Sequence, residues 1–256
     1  MIFRQLSLPF VHFWDRNTSA FTKISILYSR GANYEQEDVV CHAWGEICAL
    51  YFPKIAASAT APRWSIEREA YRGNPPLNPS QVKPDPIVVR FLPTAVTNPN
   101  FLPFVESRDF LWIECKAATE NTPSGWKNAL GEAATRLNNA HPDRMIYLII
   151  AIGWRCAFFV WDPTNTMRRP KIFIRPVSNQ IPWLIDQRIK FIGPVSWIDP
   201  ASGEFDHTKT IELECFWQMI ENGLPVLANH HNLEKIEQFL VHIQNSALQG
   251  RNPSNF

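Results

Sequence analysis

The chain has 256 residues, is 45% hydrophobic and 19% charged, and carries 25 basic against 24 acidic groups for a formal net charge of +1. That length and apolar content predict one globular domain over 1–256 and exclude disorder as the main state. The near-zero charge excludes a histone-like electrostatic nucleic-acid binder but leaves room for a local basic face.

In chain order, the opening MIFRQLSLPFVHFWD has neither a basic n-region nor a small-residue cleavage site, so no signal peptide is expected. A short apolar stretch at 24–28 ends at Arg30-Gly31, a turn signal. Residues 34–52 predict a helix: Val40, Ala43/Trp44, Ile47 and Leu50/Tyr51 recur at helical spacing and Pro53 stops it. Residues 64–71 read as a strand with Glu67, Glu69 and Tyr71 on one face, and 73–84 as a Pro/Asn-rich loop. The β-branched run at 85–91 predicts a strand. Residues 92–108 hold three prolines and predict an extended loop. Residues 110–116 (FLWIECK) predict a strand covered on both faces.

The clearest helix is predicted at 124–137, where Trp126, Ala129, Leu130, Ala133, Ala134 and Leu137 form one stripe behind a Pro123-Ser124 start. Residues 145–152 predict a buried strand, Gly153 a turn, and 156–161 its hairpin partner. A further strand is expected at 171–175, then two C-terminal helices at 210–222 and 232–248. The longest apolar run, 145–154, is too short for a bilayer, which takes about 20 residues. No membrane association is expected. The five cysteines form no C-x-x-C pair and no zinc spacing. They suit a reduced intracellular setting, cytoplasmic or nuclear, and Cys41 and Cys48, seven apart, read as core packing. The Asn17-Thr18-Ser19 acceptor triplet reads as a chance match. No G-x-S-x-G, Walker loop or H-E-x-x-H appears, which argues against serine hydrolases, NTPases and zinc proteases.

Chemistry concentrates at two places. Pro84-Asp85 opens one strand, and Glu114-Cys115-Lys116 closes another. Period-2 alternation puts Glu114 and Lys116 on one side and Cys115 on the other. If the two strands pair as a hairpin, Asp85, Glu114 and Lys116 meet at one sheet end. Two carboxylates with water are the ligands Mg²⁺ prefers, and an amine beside them can orient a nucleophilic water or neutralise phosphate charge. Chance supplies about one acid-x-Lys match in such a chain. The weight lies in its context, a charged pair at the end of a doubly buried strand.

These residues resemble the PD-(D/E)XK nuclease superfamily, the restriction-endonuclease-like fold. The order helix, three strands, helix, strand over 34–152 is similar to that family's core. The run LWIECKA, followed by GWKNALGEAATRL and an apolar strand, is similar to fungal nuclease-like domains. The resemblance covers about half the chain. It implies an α/β core (34–175) with a mixed central sheet flanked by helices, here with a C-terminal helical extension (205–250). It also implies hydrolysis of phosphodiester bonds with Mg²⁺ or Mn²⁺, and nucleic acid as partner, DNA before RNA. Asp85 and Glu114 would hold metal, the Cys115 main-chain carbonyl would add a ligand, and Lys116 would serve the attacking water. An additional acid from the first helix would be Glu46, with Glu67 on the next strand as rival. Lys127 and Arg136 on the second helix, and Arg168 and Arg169 beyond it, are candidate nucleic-acid contacts. Trp161 and Trp183 are candidate stacking platforms. The C-terminal helices would cap the sheet or form a homodimer. Two alternatives stay open: a catalytically inactive module of this fold that binds nucleic acid or protein, and an interaction protein using its C-terminal helices.

Overall fold

The computed structural model describes residues 11–55, 63–68, 85–93, 105–164, 173–174, 183–193, 197–199, 201–215, 217–219, 225–227 and 230–248. Among these the protein is α/β, with a mixed, mostly antiparallel central sheet flanked by helices. No helix among them is long and apolar enough to cross a membrane.

The apolar stretch at 24–28 is the middle of a full helix, α1 (Ser19–Arg30). The Thr18 hydroxyl accepts the Phe21 amide at its start, and Ala20, Ile24 and Leu27 form its buried stripe. Thr18 is thus a buried cap. The next helix, α2 (Asp38–Tyr51), buries the predicted stripe of Val40, Ala43, Trp44, Ile47, Cys48 and Tyr51.

Three strands follow as an antiparallel meander: β1 (Arg63–Glu67), β2 (Ile87–Pro93) and β3 (Val105–Lys116). The pairing of β2 with β3 continues to Pro93↔Val105 and shifts register at Val88/Val89. Both ends of the expected loop at 92–108 are therefore strand, and 94–104, outside the described residues, connects the pair. Two long strands with a bulge account for the separation of Asp85 from Glu114.

The chain then crosses through α3 (Pro123–Ala140) to β4 (Ile146–Ile152), which runs parallel to β3. A parallel neighbour requires such a crossover. The stripe predicted for α3 is buried in full, from Trp126 to Leu137. Gly153 takes φ 57°, donates its N–H to the Lys116 carbonyl at 2.9 Å, and turns the chain into β5 (Arg155–Trp161).

The strand expected at 171–175 appears as β6 (Phe173–Ile174). It lies in a separate small sheet with β7 (Trp183–Leu184) and β9 (Glu204–Phe205), while β8 (Ile189–Phe191) pairs with β5. The helix predicted at 210–222 is not formed. There β10 (Ile211–Glu212) joins the main sheet beside β5, and β11 (Trp217–Met219) pairs with β12 (Pro225–Leu227). Ile211, Leu213 and Cys215 are buried with Glu212 and Glu214 between them half-buried. That period of two competed with the helical spacing of Leu213 and Trp217, and strand pairing decided between them. The last predicted helix is α4 (His230–Leu248).

Helices α1, α2 and α4 occupy one face of the sheet; α3 and the small sheet occupy the other. Phe158 and Phe159, adjacent on β5, show both layers. Phe158 stacks on Phe239 of α4 at 4.3 Å, while Phe159 meets Phe205 of β9 at 6.0 Å. Glu237 of α4 is fully buried and accepts from Tyr51 Oη at 2.6 Å, with His12 Nδ1 at 2.9 Å. Helix α4 is thereby tied into the core, and its apolar face of Leu233, Ile236, Leu240 and Ile243 is consumed within one chain. Capping the sheet, one of the two roles expected of the C-terminal helices, is the one this helix takes within the chain.

The start of α3 is fixed by a close approach. Thr122 Oγ1 accepts the Gly125 N–H at 3.1 Å. A Cβ on Gly125 would lie 1.9 Å from the Glu120 carbonyl oxygen, a backbone atom that cannot rotate away. Gly125→Ala is expected to destabilise the protein by about 1–3 kcal/mol, as overpacking does, despite the better helix propensity of Ala. A lower urea midpoint at unchanged slope checks it; a higher midpoint would show that the turn yields.

Candidate functional site

The end of β3 collects charge because three elements converge there. Pro86 lacks an N–H but keeps its carbonyl, which accepts the Ile113 amide at 3.1 Å. One step further the Asp85 side chain takes over the ladder, its Oδ2 accepting the Cys115 N–H at 2.6 Å. The register Ile87↔Trp112, continued two residues outward, sets Asp85 opposite Glu114. Directly opposed residues in an antiparallel pair bring their Cβ atoms within about 5 Å. The ladder of hydrogen bonds thus runs past Pro86 to Asp85.

Glu114 is 2% exposed and points to the α3 side. Arg136 Nη1 donates to both of its oxygens, at 2.8 and 2.6 Å, and Lys116 Nζ lies 3.0 Å from Oε1. Lys116 also reaches Glu132 of α3 at 2.9 Å and Glu37, at the start of α2, at 3.5 Å. Glu37 occupies the N-cap position of α2 yet caps nothing with its side chain, which turns to this cluster instead. Glu132 and Arg136, one turn apart on α3, lie 3.7 Å from each other.

The electrostatics follow from burial. Burial pushes the Glu114 carboxyl up to about 7, aided by the Asp85 charge and opposed by Lys116 and Arg136. Asp85 is likewise raised by burial, against the Cys115 N–H, the Cys41 thiol and the two cations. Burial works to lower the Lys116 ammonium, but the carboxylates of Glu114, Glu132 and Glu37 hold it above its ordinary range. Lys116 is therefore a charged donor at neutral pH and not a free base.

Beside this cluster lies a cleft of about 540 Å³ whose lining includes Glu35, Glu37, Lys116, Glu120, Asn128 and Glu132. On the other face of β3, Cys115 meets Cys41 of α2. The two sulfurs and an Asp85 oxygen lie within 4.8 Å of one another.

The structure thus brings Asp85, Glu114 and Lys116 together, adds three residues that the sequence did not assign to the site, Glu37, Cys41 and Glu132, and gives Arg136 a different role. Arg136, expected as a nucleic-acid contact, is held by Glu114 as its counter-ion. Lys127 is exposed, and its ammonium lies over the half-buried Trp183 ring, 4.6 Å from the centroid. Trp161 is fully buried and cannot stack a base. Glu46 stands nine residues beyond Glu37 on α2, about 13 Å along the axis, and accepts from Ser19 Oγ at 2.7 Å. It is not part of the site. Glu67 pairs in register with Ile87, a full strand removed from β3. Arg168 and Arg169 lie outside the described residues. Cys41, read as core, is half-buried at the site. A spacing of one turn between Glu37 and Cys41 was the available signal for both.

No family model, curated protein or solved structure matches this chain.

Removing one partner from a buried ion pair costs about 3–5 kcal/mol, because the other charge stays buried and uncompensated. Arg136→Ala is expected to lose stability on that scale. The double variant Glu114→Gln/Arg136→Met should recover most of it. Urea denaturation of the three proteins checks this. A single variant as stable as wild type would mean that Glu114 has no need of its guanidinium partner.

Proposed function

We propose that the protein is a metal-dependent nuclease of the restriction-endonuclease-like fold, hydrolysing phosphodiester bonds in nucleic acid. The observation that carries the reading is the convergence of Asp85, Glu114 and Lys116 at one end of β3, with Lys116 3.0 Å from Glu114 and Asp85 bonded to the intervening Cys115 N–H. Support for the core comes from the order α2, β1, β2, β3, α3, β4, with antiparallel strands before α3 and a parallel one after it.

The donor set fits a hard divalent cation. Asp85 and Glu114, with the Cys115 carbonyl, are oxygen ligands of the kind Mg²⁺ or Mn²⁺ takes, and the acidic cleft beside them repels a polyanion unless a cation intervenes. Such an ion, when bound, polarises the scissile phosphate and acidifies a coordinated water. Lys116, charged and held by three carboxylates, orients the attacking water or a phosphate oxygen by donating hydrogen bonds. Arg136 holds the Glu114 carboxylate in its rotamer.

The test is cleavage of plasmid, single-stranded DNA and RNA with Mg²⁺ or Mn²⁺. Lys116→Ala and Asp85→Asn should each lower the rate by about 100-fold or more. Equal cleavage by wild type and Lys116→Ala, or none by either with both metals, overturns the reading.

One observation favours a second reading, a non-catalytic module of the same fold. Glu114 already has its charge matched by Arg136 and Lys116 without any metal. Mn²⁺ titration followed by its paramagnetic resonance separates the two. The nuclease binds Mn²⁺ and loses it on Asp85→Asn and on Glu114→Gln; the inactive module binds none at these residues.

A further inference from the structure

We propose that Cys41, Asp85 and Cys115 form a binding site for a thiophilic divalent cation, Zn²⁺ in the first place, on the α2 side of β3. This goes beyond the nuclease reading and does not rest on it. It shares Asp85, but its other donors are sulfurs on the opposite face of the strand from Glu114 and Lys116.

Three observations carry the site. First, the ligand atoms lie within 4.8 Å of one another although they come from three separate segments of the chain. A tetrahedral zinc site with Zn–S near 2.3 Å and Zn–O near 2.1 Å sets its donors roughly 3.5–3.8 Å apart, so small side-chain rotations close the set. Second, the five cysteines are free thiols, and the two here are turned toward a carboxylate, where Cys48 and Cys156 are simply buried. Third, the carboxylate is oriented from outside the donor set. The Cys115 N–H holds Asp85 Oδ2 at 2.6 Å, the kind of supporting bond that fixes metal ligands.

Access and selectivity follow. Cys115 is fully buried, but Cys41 and Asp85 are only half-buried, which leaves a path for an ion. Three protein ligands leave a fourth position for water or for Glu37, one turn before Cys41 on the same face of α2. Thiolates select Zn²⁺ over Mg²⁺, and the carboxylates on the α3 side have the reverse preference. The end of β3 thus offers a soft site and a hard site back to back, with Asp85 between them.

The test uses the full chain without nucleic acid. Co²⁺ is added as a spectroscopic probe, and Zn²⁺ is counted by release to a chromophoric chelator. Wild type should bind one Zn²⁺ per chain and show a thiolate-to-Co²⁺ charge-transfer band that Zn²⁺ abolishes. Cys41→Ser, at a half-buried position that tolerates the change, should lose the band and bind Zn²⁺ at least about tenfold more weakly. Cys115→Ser should do the same where circular dichroism shows it folded; otherwise Cys41→Ser decides. Glu46→Gln on the same helix and Glu114→Gln on the other face should both keep the band. No band in wild type, or an undiminished band in Cys41→Ser, overturns the proposal. A band without any nuclease activity leaves this site standing while the nuclease reading falls, and activity without a band does the opposite.

Discussion

A carboxylate with almost no access to water stands at the end of β3, and much of the local architecture is the consequence. An unpaired ionised carboxyl in that setting costs several kcal/mol, so Glu114 must be given cations. Lys116 reaches it along the same strand face, and Arg136 reaches it from α3. For Arg136 to arrive, α3 must begin at a fixed place, which Gly125 permits by letting the helix start press against the Glu120 carbonyl. The buried stripe of α3 sets its rotation, and Glu132 follows one turn before Arg136 because the helix repeats every 3.6 residues. Helix packing and site electrostatics are one constraint seen from two sides.

The charges do not cancel. Glu114, Asp85, Glu37 and Glu132 make four carboxylates against the two cations Lys116 and Arg136, a formal excess of two negative charges. Part of that excess is relieved by the upward shift of Glu114 to about 7. With all four carboxylates ionised, the excess has the magnitude of one divalent ion. A purely structural ion-pair network has no reason to carry such an imbalance in a half-buried place, since each surplus carboxylate weakens the fold. This imbalance supports the proposed cation site over a cluster that only locks α3 to the sheet.

How much of this could be read from the sequence depended on whether a residue's environment is local. The stripe of α3, the hairpin at Gly153 and the same-face pairing of Glu114 and Lys116 follow from periodicity alone, and all three are present. The opposition of Asp85 and Glu114 needed a hairpin, which the sequence offered only as a condition until the register of β2 and β3 was known. Partners chosen across the fold were not legible. Lys127 and Arg136 looked alike as cations on the polar side of one helix, yet one finds a tryptophan and the other a buried acid. Helix α1 was missed although Ala20, Ile24 and Leu27 fall at i, i+4 and i+7, because only the apolar run at 24–28 and the turn signal after it were read. The segment at 210–222 was misread because two periods fit it and only its neighbour, β5, could choose.

Cys115 shows why such a site resists pattern reading. Its flanking residues carry the legible motif, and its own side chain points away from them, so alternation assigns it to the core. Whether that inward position is inert depends on what α2 presents opposite it. With leucine there, Cys115 would be packing and nothing more. With Cys41 there, and with the Cys115 amide already holding Asp85, the same alternation that puts two charged residues on one face puts a pair of sulfurs on the other. A strand end can therefore carry two chemistries at once. The carboxylate at the rim, reached from both faces, is the group through which an ion bound on one side would be felt on the other.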